Sequence, residues 1–393
     1  MTDQVVTMAL QPSEEEQMLR DAVRGIASDY GAEYMRECIA KEQPPVELWD
    51  ELGKGGYLGI NIPTEYGGGG MGMTGLAAVQ EELAMAECSL ALLVVSPAIA
   101  GSILVRHGSA EQRKEWLPGI ASAQKKIAFA VTEPDAGSNT HMISTDATRT
   151  ESGTWRLNGQ KYYISGVEHA DSVLVVARNR MPDGSLGLPL LFLVPVDAPG
   201  LTRQELPTTV PWAEWQWTLF FDDVEVDDSR LVGGDTGGLG ALFDGLNPER
   251  IMGAAGGVGG ARVALDKAVA YAQTRKVWKD TPIGAHQAIA HPLAETWMEY
   301  EQARLMLQKA CALYDAHHPD AGSAANMAKF AAGEVAVKAA DRAIQTHGGN
   351  GMSVEYGLTD LWLGARLIQI APVSREMILN HVAQHTLGLP KSY

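Results

Sequence analysis

Three short groups of residues hold the side chains of this sequence best suited to chemistry. The first is Phe129-Ala130-Val131-Thr132-Glu133-Pro134-Asp135-Ala136-Gly137-Ser138-Asn139, which sets two hydroxyls and a run of backbone donors on a turn. Pro134 fixes one φ angle, Gly137 tolerates close approach, and Thr132 and Ser138 supply short polar arms beside amides that can bind phosphate. This composition suits a flat, hydrogen-bonding ligand with a phosphate tail, and a plain surface turn would look similar. The second group is Gln345-Thr346-His347-Gly348-Gly349-Asn350-Gly351-Met352, followed by Glu355 and Tyr356. Its glycines follow a helical segment carrying Ala343 and Ile344 and also read as an ordinary helix C-cap. The third, Leu246-Asn247-Pro248-Glu249-Arg250, puts a carboxylate beside a guanidinium. Asn at an N-cap, Pro at the first helical position and Glu in the first turn spell a helix start, so Glu249 reads equally as a candidate base and as a helix-start acid.

The elements that must position these groups follow from composition and periodicity. A chain of 393 residues, 46% of them apolar, has room for about two or three domains around a large core. A formal charge of −17 argues against sequence-independent binding to nucleic acid, which needs arrays of Lys and Arg. The three cysteines, Cys38, Cys88 and Cys311, form no CxxC pair, so neither a disulfide framework nor a metal site is expected, and a reducing compartment fits. Met1-Thr2-Asp3-Gln4 lacks the start of an export signal, and no run approaches the roughly 18 apolar residues of a membrane span. A cytoplasmic protein without membrane insertion is the expectation.

Residues 1–125 read as a helical domain: Ser13 and Glu16 have capping-box spacing, and Met18, Leu19, Ala22, Val23 and Ile26 recur at helical intervals. Residues 126–238 read as a β domain, with strands at 173–177, 190–194 and 219–226 separated by Gly, Pro and Asp turns. Residues 239–393 return to helical periodicity, as in Met327, Phe330, Ala331 and Val335, and predict a bundle. The loop from Tyr66 to Gly72 satisfies GxGxxG but follows Ile62-Pro63-Thr64-Glu65 instead of a strand, so it is not a dinucleotide fingerprint.

The helical, β, helical order and the two glycine-containing motifs resemble the acyl-CoA dehydrogenase flavoproteins over nearly the whole chain. The stretch from Phe129 is similar to the family's first signature, with Asn139 where Asp is usual. The stretch from Gln345 is similar to its Gln-x-x-Gly-Gly-x-Gly segment. The resemblance implies a mostly α fold with an inserted β domain: an N-terminal helical domain, a central β-barrel and a C-terminal four-helix bundle. It also implies FAD. Phe129, Val131, Thr132, Gly137 and Ser138 would line the isoalloxazine and pyrophosphate, with Thr132 hydrogen-bonding the ring. In Gly159-Gln160-Lys161-Tyr162-Tyr163-Ile164-Ser165, Tyr163 stands where the family usually has Trp, and Ser165 where a Thr approaches flavin N5. The adenosine half is expected from a neighbouring subunit, through Arg275, Gln287, Gln345, Gly348 and Gly349, with Ser374 in a position usually held by Thr. The stretch Trp278-Lys279-Asp280-Thr281-Pro282-Ile283 lacks the family's Phe-Gly pair. A shared flavin implies a homo-oligomer, a tetramer by family habit.

Desaturation of an acyl-CoA thioester needs a carboxylate to take the α-proton while N5 accepts hydride from Cβ. Most members carry that acid in a Tyr-Glu-Gly-Thr segment, which here reads Ala371-Pro372-Val373-Ser374. The resemblance to isovaleryl-CoA and long-chain acyl-CoA dehydrogenases instead places it at the start of the first C-terminal helix, on Glu249. Pro372 has no N–H with which to polarise the thioester carbonyl. Ser138, Asn247 and Arg250 match positions that hold the CoA moiety, and electrons would pass to an electron-transfer flavoprotein. No metal is expected: His381 and His385 have ligand spacing without a completing acid, and His317-His318 read as a loop. Trp212, Trp215 and Trp217 suit either an acyl pocket or packing. Two alternatives stay open, a flavoenzyme of this fold acting on a non-acyl-CoA substrate, as nitroalkane oxidases and monooxygenases do, and a non-catalytic CoA-ligand-binding scaffold.

Overall fold

Residues 6–278 and 280–391 are described in a computed structural model of the chain. The expectations for Met1 to Gln4 and for Lys279 in the 278–283 stretch lie outside the described residues. The N-terminal helices are α1 (Glu14–Ser28), α2 (Gly31–Ala40), α3 (Val46–Lys54) and α4 (Gly72–Met85). As the sequence predicts, Ser13 caps α1, its hydroxyl accepting from the Glu16 N–H at 3.1 Å, and Leu19, Val23 and Ala27 face inward one turn apart. The GxGxxG match begins at a left-handed Gly67 after a single 3₁₀ turn (Thr64–Tyr66), not after a strand. Next, α5 (Ala91–Leu93) runs through a π-helical stretch, Val94–Gly101, into α6 (Ser102–His107), and α7 (Ala110–Ala121) closes the region behind a Ser109–Gln112 capping box.

The middle of the chain forms β1 (Ile127–Ala130), β2 (Asp146–Arg149), β3 (Trp155–Ser165), β4 (Ser172–Arg180), β5 (Leu186–Pro195), β6 (Leu201–Glu205), β7 (Gln216–Val226) and β8 (Leu231–Val232). They make one eight-stranded sheet in the order β6-β7-β3-β2-β4-β5-β8, with β1 parallel to β4. Alternation along β1, β4 and β5 splits their side chains between two cores. Ile127, Phe129, Leu174, Val176, Leu191 and Leu193 pack with Ile99, Ile103 and Trp116 of the helices. Ala128, Val173, Val175 and Phe192 pack with Trp155, Leu157, Leu219 and Phe221 within the sheet. Burial on both faces explains why 173–177 and 190–194 read as unbroken apolar runs.

The C-terminal unit comprises α8 (Gly234–Thr274), the hairpin β9 (Lys276–Trp278) and β10 (Thr281–Pro282), α9 (Gln287–Asp315), α10 (Ala321–His347), α11 (Leu358–Ile370) and α12 (Arg375–His381). One expectation is corrected here. Asn247-Pro248-Glu249 does not start a helix: α8 spans 41 residues and carries Pro248 inside it. Proline removes the N–H that would bond the carbonyl four residues back. That carbonyl, on Asp244, instead accepts from the Tyr314 hydroxyl at 3.4 Å. Further along α8, glycines let neighbouring helices close in. A Cβ on Gly257 would lie 3.2 Å from Ala332 Cβ of α10, and one on Gly259 2.6 Å from Ala84 Cβ of α4. Among the described residues, no helix is long and apolar enough to cross a membrane.

Candidate active site

The first motif leaves β1 and is held by a buried ion pair that sequence reasoning missed. Glu133, 4% exposed, accepts from Ser144 N at 2.6 Å, Ser144 Oγ at 2.8 Å, Thr145 N at 2.9 Å and Lys161 Nζ at 2.9 Å. Lys161, 0% exposed, also donates to the Val131 carbonyl at 3.0 Å. Burial alone would raise the Glu133 carboxyl, but the Lys161 charge and the Ser144 amide overcome it and hold the group down at about 2. Burial draws the Lys161 amine down to about 8, with Glu133 opposing, so both groups are charged at neutral pH. The available signal was a lysine among the inward-facing Trp155, Leu157 and Ile164 of β3, a position that demands an acidic partner.

The same strand carries the next candidates. Tyr162 N donates to the Thr132 carbonyl at 2.8 Å, and the β3–β7 register slips between Lys161 and Ile164. At this bulge Tyr163 has φ 59° and leaves 55% of its surface exposed. Ser165 is paired with Gln216, which sequence reasoning did not single out, at 2.9 Å from Gln216 Nε2 and 3.1 Å from Oε1. Phe129 is buried, Val131 and Thr132 are half-buried, and Gly137 and Ser138 are exposed.

Helix α8 meets this assembly at the turn before Glu249. Leu246 and Val131 pack on one apolar cluster with Phe129, Ile99 and Ile103, and Val94 and Val95 of the π-helical stretch join it. The preceding α5 is braced at its start by buried Glu214, which accepts from the backbone N–H groups of Ala91 and Leu92. Asn247 Oδ1 accepts from Arg250 Nη1 at 2.9 Å. Glu249 is half-buried; burial pushes its carboxyl up to about 7 against the opposing pull of Arg250 and Lys329. Burial also lowers Arg250. One turn on, a Cβ at Gly253 would lie 3.5 Å from Pro372 Cδ, so the Ala371-Pro372 loop sits over the turn of α8 that follows Glu249. The Ala371-Pro372 bond is cis. Lys329 of α10 donates to the carbonyls of Gln369 at 3.2 Å and Val373 at 2.5 Å. Its clue in the sequence was a lysine within the Ala-rich inward face of α10.

A second group gathers at the other end of the bundle. Arg275 follows α8, Gln287 opens α9, and Gln345, Gly348 and Gly349 end α10; all are exposed. The ends of α8 and α10 are linked through Tyr271, one turn before Arg275. His347 stacks on its ring at 4.1 Å, and Asn350 Nδ2 donates to its hydroxyl at 3.2 Å. Ser374, expected with this group, stands apart from it: it caps α12 beside Val373, near Lys329. Lys329 and Gln345 are sixteen residues apart on α10, about 24 Å at the helical rise. One chain therefore presents the expected FAD residues as two separated groups.

The residues present fit the cofactor. Tyr163 offers an open ring. A Cβ built on Gly137, Gly348 or Gly349 would meet nothing within 4 Å, so the backbone at each is accessible to a ligand. His381 and His385 have rings 4.8 Å apart, with His381 Nε2 3.2 Å from Ser323 Oγ. Among the described residues no cluster of three or more His, Cys, Asp or Glu could hold a metal. Trp215 N and Trp217 Nε1 both donate to Glu168, and Trp212, Trp215 and Trp217 are all half-buried.

A sheet set between two helical units, an aromatic ring presented on a strand bulge and a proton-acceptor candidate on the adjoining long helix describe a flavin-dependent oxidoreductase of the three-unit type. Residues 13–124, 128–224 and 236–387 match the N-terminal, middle and C-terminal domains of acyl-CoA dehydrogenase, and the chain belongs to that family. It is 51% identical over 383 residues to the acyl-CoA dehydrogenase FadE12 of Mycobacterium tuberculosis, covering 97% of this chain and 98% of that protein. Among solved structures, a glutaryl-coenzyme A dehydrogenase in complex with glutaryl-CoA superposes with a TM-score of 0.91 at 31% identity, covering 98% of each chain. The FAD complex of PigA superposes with a TM-score of 0.89 at 27% identity, covering 97% of this chain and 100% of that one.

Proposed function

We propose that this acyl-CoA dehydrogenase introduces a trans α,β double bond into an acyl-CoA thioester, with Glu249 taking the α-proton. The observation that carries this reading is the placement of Glu249 beside the cluster that supports the first motif and one turn from Pro372, with its carboxyl pushed up to about 7 by burial. A base of that strength is half ionised near neutral pH, where proton abstraction is most effective. FAD, when bound, supplies the acceptor for the hydride that leaves Cβ. Thr132, Tyr163 and Ser165 would orient its ring, and Gln216 fixes the direction of the Ser165 hydroxyl. Arg250, Asn247 and Ser138 would hold the CoA moiety, with Arg250 providing positive charge on an otherwise acidic protein. Pro372 donates no hydrogen bond, so the next backbone N–H available to the thioester carbonyl is that of Val373. The two separated groups of cofactor residues support a homo-oligomer in which neighbouring subunits share each FAD, a tetramer by resemblance. The same resemblance supports an electron-transfer flavoprotein as acceptor.

The test is Glu249→Gln. The variant is expected to retain FAD and to bind CoA ligands, yet to leave the flavin absorbance unbleached when mixed anaerobically with a panel of acyl-CoAs that bleach the wild type. Normal bleaching removes Glu249 from the role. Pro372 favours a second reading, oxidation of a substrate other than an acyl-CoA. A wild-type protein that loads FAD but responds to no member of the panel would support it.

A further inference from the structure

We propose that Lys329 is a positioning residue for the base, clamping the Ala371-Pro372 loop over the Glu249 turn of α8 and setting a positive charge toward that carboxyl. The inference rests on Glu249 being the base. Lys329 is 1% exposed, and its amine donates to the carbonyls of Gln369 and Val373, which bracket the loop. Pro372 in turn packs against Gly253, four residues beyond Glu249 and therefore on the same face of α8. A buried ammonium with only carbonyls for partners is costly unless a carboxylate faces it. The charged groups around it are Glu249 and Arg250 from α8, Glu334 from its own helix and Glu376 from α12. Glu334 is engaged by Arg375 Nε and Gln369 Nε2, each at 3.0 Å. Among the described residues, the charges that act on Glu249 are Arg250 and Lys329, while Arg250 in turn faces His381 of α12. The Lys329 charge therefore favours the ionised, proton-accepting form of Glu249.

The test compares the pH dependence of kcat/KM for wild type, Lys329→Met, Lys329→Gln and Lys329→Arg. Activity rises with pH as the base ionises. Removing the opposing charge raises the carboxyl further, so the acid limb of the Met and Gln variants should move up by about half to one pH unit, while Lys329→Arg keeps it in place. A lysine that only packs would lower the rate at every pH without moving the limb, and a folded Met or Gln variant with an unmoved limb overturns the proposal. A second measurement needs no lysine variant. An amine lowered to about 8 by burial binds its proton less tightly when folded, so melting temperature should rise with pH between about 8 and 10. In Glu249→Gln the amine loses one attractive partner while Glu334 and Glu376 remain, and that rise should begin at lower pH. Glu249 is ionised throughout this window, and superimposable curves refute the clamp. If Glu249→Gln still bleaches with substrate, the base assignment fails. If it is inert and neither lysine readout moves, only the lysine role fails.

Discussion

The Glu133–Lys161 pair ties the first motif to β3, and its two partners are expected to respond unequally to substitution. Against burial, the Lys161 charge and the Ser144 amide hold the carboxyl down at about 2, while burial draws the amine down to about 8. One mutual attraction enters both shifts and is offset by the burial of two charges, so the value of the pair lies in geometry: Lys161 grips both Glu133 and the Val131 carbonyl. Glu133→Gln strands a buried ammonium and should cost about 3–5 kcal/mol. Lys161→Met should cost less, about 1–3 kcal/mol, because Ser144 N, Ser144 Oγ and Thr145 N still satisfy the carboxylate. The double variant should lie near wild type, within about 1 kcal/mol. Urea unfolding at pH 7 gives the three values, and the visible absorbance of the purified proteins gives retained FAD, expected to fall most in Glu133→Gln. The acid side supplies a sign. Because the folded carboxyl lies below its unfolded value, its contribution is complete above about pH 4.5 and is lost as the pH falls toward 2, a loss absent from Glu133→Gln. A double variant as unstable as Glu133→Gln, or single variants that both cost under about 1 kcal/mol, would refute the reasoning.

Three further outcomes follow. Gly348 has φ 60° and ψ −132°, a conformation closed to other residues, so Gly348→Ala should cost about 1–3 kcal/mol in thermal or urea unfolding. Gly349→Ala meets neither strain nor neighbours within the chain, so it should leave the melting of the apoprotein unchanged and weaken FAD retention; full retention would take Gly349 out of the site. Glu214 is buried, and burial pushes its carboxyl up to about 7 against the Leu92 and Ala91 amides. The folded state thus holds that proton longer than the unfolded chain, and stability should decline between about pH 5 and 8. The decline should be shallower in Glu214→Gln, and parallel melting curves would show that Glu214 does not drive it.

The elements most legible in the sequence were those whose pattern has one physical cause. The runs 173–177 and 190–194 became β4 and β5 because burial on both faces leaves only apolar residues, and the Ser13 signal became a real cap. Asn247-Pro248-Glu249 carried every sign of a helix start and lies inside α8, since Tyr314, more than sixty residues away, supplies the hydrogen bond that the proline removes. The site divided along the same line. Turn chemistry singled out Thr132, Gly137 and Ser138 as candidates, and Gly348 and Gly349 likewise. Glu133 with Lys161, Glu214 above α5, and Lys329 beneath Val373 escaped because each depends on a partner brought close only by tertiary packing. The two-group arrangement of the expected cofactor residues was likewise not local information: it follows from the length of α10 and from which end of it each loop reaches.

The close seam between α8 and α10 limits where this protein can diversify. Glu249 lies within one rod with Arg275 just past its end, Lys329 lies in the first half of the other with Gly348 just past its end, and the contact of Gly257 with Ala332 leaves no slack between them. Any substitution that widens the seam shifts the proposed proton acceptor and the proposed cofactor tail site together, so new substrate ranges should arise in the Val94–Gly101 stretch and the connecting loops, while the rods stay fixed.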